Sequence, residues 1–129
     1  MKRIILLIED NEQNRYLATF LLEKNGYEVV PASDGPMGIA LAGRILPTAI
    51  LLDIQLPTMD GYTVARELRK NPALGNIPIV AVTSYAMLGD REKALGAGCN
   101  GYIEKPINPE TFVAEIERYV QKTAKENPS

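Results

Sequence analysis

The chain has 129 residues, a length suited to one domain, and no stretch has the composition of an inter-domain linker. Its 14 basic and 16 acidic residues leave a net charge of −2, so no global positive field exists to hold a phosphate backbone and direct nucleic-acid binding is not expected. Histidine is absent, which removes the commonest general base, the commonest zinc ligand and any histidine-based triad, and leaves carboxylates, hydroxyls, lysine and a hard metal as the available chemistry.

Ile4-Ile5-Leu6-Leu7-Ile8 is a short apolar run that stops at Glu9-Asp10-Asn11, the pattern of a strand buried on both faces. From Glu12 to Asn25 the residues Leu17, Phe20 and Leu21 recur at helical spacing, with Asn11 or Asp10 as cap and Gly26 as stop. Tyr27 to Ala32 alternates like an outer strand, and Pro31 suits an edge or a strand end. Ser33-Asp34-Gly35-Pro36 turns into a second helix expected to carry Met37, Ala40 and Leu41 on one side. Ala49-Ile50-Leu51-Leu52 is again wholly apolar and ends in an acid, Asp53. After a turn from Leu56 to Gly61, a third helix runs through Ala65 and Leu68 to Asn71-Pro72. Ile79 to Val82 is a fourth buried run, ending at Thr83. A marginal fourth helix is expected from about Leu88 to Leu95, closed by Gly96-Ala97-Gly98. Gly101 to Pro106 suits a short fifth strand, and Pro109 is expected to open a last helix with Phe112, Val113, Ile116 and Val120 in one apolar stripe. Residues 123–129 are polar and expected to fray, which sets the domain at residues 1–122.

Strands alternating with helices, without internal repeats, imply a doubly wound α/β sheet of five parallel strands joined by right-handed crossovers. The flavodoxin-like order 2-1-3-4-5 suits one edge-like second strand and apolar interior ones, and it brings strands one and three together at the switch point, where ligands bind beyond the carboxyl ends. Glu9, Asp10 and Asp53 then share one rim with Thr83 and Lys105.

Gathering three acids is unfavourable, because two unit charges 4 Å apart repel by about 1 kcal/mol in water and by about 4 kcal/mol at an effective dielectric of 20. A hard cation bound by oxygen offsets this; Mg²⁺ uses one or two carboxylates, waters and a phosphate, with Asp10 and Asp53 as the natural ligands and Mn²⁺ as a substitute. Acids at strand ends also serve as solvated charges or helix caps, but convergence with a lysine and a hydroxyl favours chemistry. A carboxylate can attack phosphorus, and the equatorial oxygens of the transferred group need neutralising charge. Asp53 as nucleophile, Mg²⁺, the Lys105 ammonium, the Thr83 hydroxyl and nearby backbone N–H groups supply every part.

Four segments resemble, in order, the signatures of the receiver domain of two-component response regulators (the CheY-like superfamily). They are Ile-Glu-Asp-Asn at 8–11, Leu-Leu-Asp-Ile-Gln-Leu-Pro-Thr-Met-Asp-Gly at 51–61, Val-Thr-Ser-Tyr-Ala at 82–86 and Ile-Glu-Lys-Pro-Ile at 103–107. The resemblance implies that Asp53 is the phosphoacceptor, served by the phosphohistidine of a sensor histidine kinase or histidine phosphotransfer protein. It implies Glu9 and Asp10 as the acidic pair for Mg²⁺, Glu9 acting through water, with the backbone carbonyl of Gln55 as a further ligand. It also implies Thr83 and Tyr102 as a switch pair, a cis Lys105-Pro106 bond, and Gln55 and Tyr85 as positions that tune hydrolysis of the aspartyl phosphate. Glu9 stands where aspartate is more usual, and Ser84 where alanine or glycine is. The Glu-Asp-Asn-Glu-Gln-Asn opening and Ala-Met-Leu-Gly-Asp at 86–90 resemble stand-alone regulators of the DivK type and receivers attached to hybrid kinases. Output is expected through a protein target at the fourth helix, fifth strand and fifth helix, from a monomer or weak dimer.

The competing enzyme is a haloacid-dehalogenase-like phosphatase, which needs a second aspartate two residues after the nucleophile; an amide at Gln55 cannot shuttle that proton. A flavin mononucleotide carrier needs a glycine- or hydroxyl-rich phosphate cradle where this chain has Glu9-Asp10-Asn11. A lone Cys99, no charged-then-apolar leader, and apolar runs far short of the ~20 residues that span a bilayer give an expected cytoplasmic location with no membrane contact. Cys99 has no cationic neighbour in sequence and is assigned no role, and Met59 and Met87 are read as gap fillers.

Overall fold

A computed structural model describes residues 3–84 and 89–126, with side chains to residue 121. Among these residues five strands alternate with five α-helices: β1 (Arg3–Ile8), α1 (Glu12–Lys24), β2 (Tyr27–Ala32), α2 (Gly35–Ile45), β3 (Ala49–Asp53), α3 (Gly61–Arg69), β4 (Ile79–Thr83), α4 (Asp90–Gly96), β5 (Gly101–Glu104) and α5 (Phe112–Glu126). A single 3₁₀ turn, Pro72–Leu74, joins α3 to β4.

All strand pairs are parallel and the order is β2-β1-β3-β4-β5. Every residue of β3 and β4 is buried, as wholly apolar runs in a two-sided sheet require. Alternation along the strands divides the core. Leu6, Ile8, Ile50, Leu52, Ile79 and Ala81 face α2, α3 and α4, whereas Ile5, Leu7, Leu51, Val80, Val82 and Ile103 face α1 and α5. β2 takes the edge, where Pro31 removes no ladder bond from an inner strand.

Local chemistry sets the helix starts. The side chains of Asn11, Asp34 and Asp60 accept hydrogen bonds from the backbone N–H of Asn14, Met37 and Thr63. α4 has no such cap; it follows Gly89 in the left-handed region, φ 91°. It begins at Asp90, later than the expected Leu88, which with residues 85–87 lies outside the described residues.

Helix faces are where the sequence pattern misleads. Phe20 is exposed, and α1 buries Ala18, Leu21 and Leu22. α2 turns Met37 and Ala40 outward and buries Gly35, Gly38 and Ala42, because its backbone lies so close to β1 that a Cβ at residue 38 would collide with the Ile8 side chain. The last helix starts at Phe112; Pro109 sits in the preceding turn, where Asn108 accepts from Glu110, Thr111 and Phe112 N–H groups. Phe112 and Ile116 are buried while Val113 and Val120 pack partly exposed, and the helix continues to Glu126, beyond the start of the expected frayed tail at Thr123.

Arg69 at the end of α3 binds the loop before β5 to the loop before β4. Its guanidinium donates to the carbonyls of Gly98, Leu74 and Ile77 and to Asn100 Oδ1. This places a cation beside Cys99, a neighbour invisible in the sequence, yet burial prevails and pushes the thiol up to about 11. Among the described residues no helix is long and apolar enough to cross a membrane.

Candidate functional site

Adjacency of β1 and β3 brings the acids together: Ile8 lies opposite Leu52 in the register, so Glu9 and Asp53 emerge side by side. Carboxylate oxygens of Glu9, Asp10 and Asp53 lie within 4.8 Å of one another. Glu9 and Asp53 are buried, and Asp10 is exposed. Lys105, just past β5, offsets part of this charge, with its Nζ 2.8 Å from Glu9 Oε1 and 3.4 Å from Asp53 Oδ1. Its side chain is only 8% exposed, so the pairs sit where solvent screens them weakly. The Lys105-Pro106 bond that follows is cis.

One ammonium does not neutralise the cluster. Burial first, then a hydrogen bond and the charge of Glu9, push the Asp53 carboxyl up to about 7, against the opposing pull of Lys105 and the Gln55 N–H. The closer Lys105 contact is to Glu9, which leaves Asp53 the less compensated of the two. Glu9 Oε2 also accepts from Asn11 N–H at 3.2 Å, so it is held by two donors.

The third side of the rim is the end of β4. Asp53 Oδ1 accepts from Gln55 N–H at 3.1 Å. The Gln55 side chain crosses to β4, where its Nε2 donates to Thr83 Oγ1 at 2.6 Å and its Oε1 accepts from Ser84 N–H at 3.2 Å. Gly61 lets this corner close: a Cβ there would lie 2.6 Å from Ile54 Cα and 2.7 Å from the Asp53 carbonyl oxygen. Beneath the acids, a cavity of about 10 Å³, room for about one water, is lined by Glu9, Asn14, Asp53 and apolar side chains including Phe112.

Thus Glu9, Asp10, Asp53, Gln55, Thr83 and Lys105 share one rim. Tyr85 lies outside the described residues. Tyr102, on β5, packs against the cluster between the sheet and α2 to α4. Among the described residues its hydroxyl is the one buried side-chain polar atom without a hydrogen-bond partner. Burial, then Asp90 and Glu104, raise its pKa. Removing an unpaired buried hydroxyl carries no bond loss, so Tyr102→Phe is expected to leave urea stability unchanged or raise it by up to about 1 kcal/mol.

Sequence reasoning missed two partners. Arg15, on the first turns of α1, donates from its Nη1 to the carbonyls of Glu9 at 2.9 Å and Asp10 at 3.1 Å, adding a cation behind the acidic pair. Its separation from Glu9 by six residues across a cap was the available signal. Tyr62 on α3 lies near Asp90 at the start of α4, whose charge adds to burial in raising the phenol's pKa, and no spacing in the chain announces that proximity.

The family described as the response regulator receiver domain matches residues 5–117. The polar-differentiation response regulator DivK of Brucella anthropi is 39% identical over 120 residues, covering 93% of this chain and 98% of that protein. A CheY-like receiver domain protein from Methanospirillum hungatei JF-1 superposes with a TM-score of 0.91 at 29% identity, covering 98% of this chain and all of that one. The receiver domain of sensor histidine kinase PA1611 from Pseudomonas aeruginosa PAO1, solved with a magnesium ion coordinated in its active-site cleft, is 36% identical with a TM-score of 0.86, covering 94% and 99% of the two chains. The match spans the strand ends that carry the acids, the hydroxyl and the lysine, and the chain belongs to the response regulator receiver domains of two-component signalling.

Proposed function

We propose that Asp53 accepts a phosphoryl group from the phosphohistidine of a sensor histidine kinase or histidine phosphotransfer protein, and that the modified form switches a protein-binding face. The observation that carries this is the Asp53 carboxylate, buried at the end of β3 and reached by the Lys105 ammonium at 3.4 Å within a cluster of three acids. A carboxylate oxygen forms the P–O bond as the P–N bond to imidazole breaks, and the imidazole leaves with a proton. Lys105 stands ready for one phosphoryl oxygen; Thr83 and the Ser84 N–H, at the end of β4, suit another.

The donor set fits a hard divalent cation: three carboxylates within 4.8 Å with a single lysine to offset them. Glu9, Asp10, Asp53 and the Gln55 carbonyl would hold Mg²⁺, or Mn²⁺ in its place, as the PA1611 receiver holds magnesium in its cleft. The cation supplies positive charge against the phosphoryl oxygens.

We take residues 1–122 as the receiver unit, working in the cytoplasm as a signalling module rather than a turnover enzyme. Gln55 supports this, since its amide cannot act as the acid or base that a phosphatase needs. Thr83 and Tyr102 are read as the switch pair, and α4, β5 and α5 as the face offered to a downstream protein. α4 is the element suited to respond, being short and uncapped by any side chain.

Acetyl phosphate with Mg²⁺ is expected to add the mass of one phosphoryl group to the intact chain, and EDTA to prevent it. Labelling that persists undiminished in EDTA would overturn the metal-assisted reading.

A further inference from the structure

The groups suited to bind a phosphoryl oxygen at the end of β4 are already engaged. Gln55 Nε2 donates to Thr83 Oγ1 at 2.6 Å, and Gln55 Oε1 accepts from Ser84 N–H at 3.2 Å. The orientation of this amide is set by its partners: the Ser84 N–H can only donate, so the carbonyl end faces it and the NH₂ end faces the hydroxyl. The backbone of the same residue donates to Asp53 Oδ1 at 3.1 Å. Gln55 therefore spans from the reacting carboxylate to the strand end that must close upon it.

We propose that the Gln55 side chain is a latch that holds Thr83 and Ser84 in the unphosphorylated arrangement, so that a phosphoryl group on Asp53 must displace it to recruit them. The idea rests on the reading of Asp53 as phosphoacceptor and assigns Gln55 a positioning role for the switch. Among the described residues, Lys105 is held by the acids and the Ser84 N–H donates to Gln55, while the Thr83 oxygen accepts from Gln55, which fixes where that hydroxyl sits. Gln55 is only partly buried, so its freed amide can be hydrated. Release therefore costs the net worth of ordinary hydrogen bonds, not the penalty of an orphaned buried group. Each bond then biases the equilibrium by about threefold, and the pair by about tenfold, toward the unphosphorylated form.

Beryllofluoride with Mg²⁺ serves as the phosphoryl probe, with binding and the Ser84 amide followed by NMR on the full chain. Gln55→Met keeps the length of the side chain and removes both polar ends. It is expected to speed hydrogen exchange at the Ser84 amide before any probe is added, and to lower the beryllofluoride midpoint by about tenfold. In a Thr83→Ala background one of the two bonds is already gone, so the same substitution should lower the midpoint by only about threefold. Gln55→Asn, too short by one methylene to bridge, should behave like Gln55→Met. An unchanged midpoint and unchanged Ser84 exchange in Gln55→Met, or an equal effect in both backgrounds, overturns the latch while leaving Asp53 as acceptor. Asp53→Asn is the control: undiminished beryllofluoride binding there would overturn the acceptor assignment and the latch with it.

Discussion

Asp53→Asn is expected to abolish the phosphoryl mass gain and, without divalent metal at pH 8, to make the protein more stable than the wild type. The first effect follows from the loss of the attacking oxygen. The second follows from electrostatics, because Asp53 is buried beside Glu9 and its carboxyl is pushed from 3.8 up to about 7. A folded-state pKa above the unfolded one means that the folded chain holds the proton more tightly. The associated stability is fully present below about pH 4 and is lost as pH rises through 7. That span corresponds to at most about 4–5 kcal/mol at ~1.4 per tenfold in proton affinity, and relaxation and water penetration at the site bring the expected gain to about 2 kcal/mol. Urea unfolding at pH 8 and pH 5 checks this. The variant's advantage should shrink at pH 5, and Mg²⁺ at pH 8 should stabilise the wild type more than the variant. A variant less stable than wild type at pH 8 would remove the repulsion on which the argument rests.

Lys105→Met has the opposite sign and a larger size. The ammonium is nearly excluded from solvent and serves two buried carboxylates, at 2.8 and 3.4 Å. Its removal leaves both acids uncompensated, which costs about 3–5 kcal/mol at neutral pH. The loss should be largely relieved at pH 5, where one carboxyl accepts a proton, and partly by Mg²⁺. The same variant lacks a fixed donor for the transferred group, so labelling by acetyl phosphate is expected to slow by about a hundredfold, measured under Mg²⁺ concentrations that keep the chain folded. Wild-type stability together with a wild-type labelling rate would show that Lys105 is a bystander.

The two variants separate roles that the geometry superimposes: Asp53 carries the reaction at the expense of stability, and Lys105 supports both. This is why the site is legible as a departure from local economy. Burying Glu9 and Asp53 with one shared lysine contributes nothing that an apolar strand end would not do better.

Much of this was already written in residue order. Runs such as Ala49 to Leu52 are apolar without alternation because both sheet faces are covered, and each interior run ends at the polar residue it delivers, which made β1, β3 and β4 and the rim readable. Capping by Asn11, Asp34 and Asp60 is local chemistry and equally visible. Helix faces were less so. Phe20 and Met37 satisfy a 3.6-residue period yet face outward, since hydrophobicity cannot tell which side of a helix meets the sheet when glycine and alanine permit the closer approach, as at Gly38 against Ile8.

By itself the sequence determined the strand ends, the chemistry available at them and the family to which they belong, because these depend on residue type and on neighbours a few positions away. Only the tertiary structure decided that Lys105 prefers Glu9 over Asp53, that Arg15 backs the acidic pair, that Tyr62 lies near Asp90, and that Gln55 holds the end of β4. Each of these joins groups on different elements, and distances between elements are set by how side chains fill the space between them, which no linear spacing encodes.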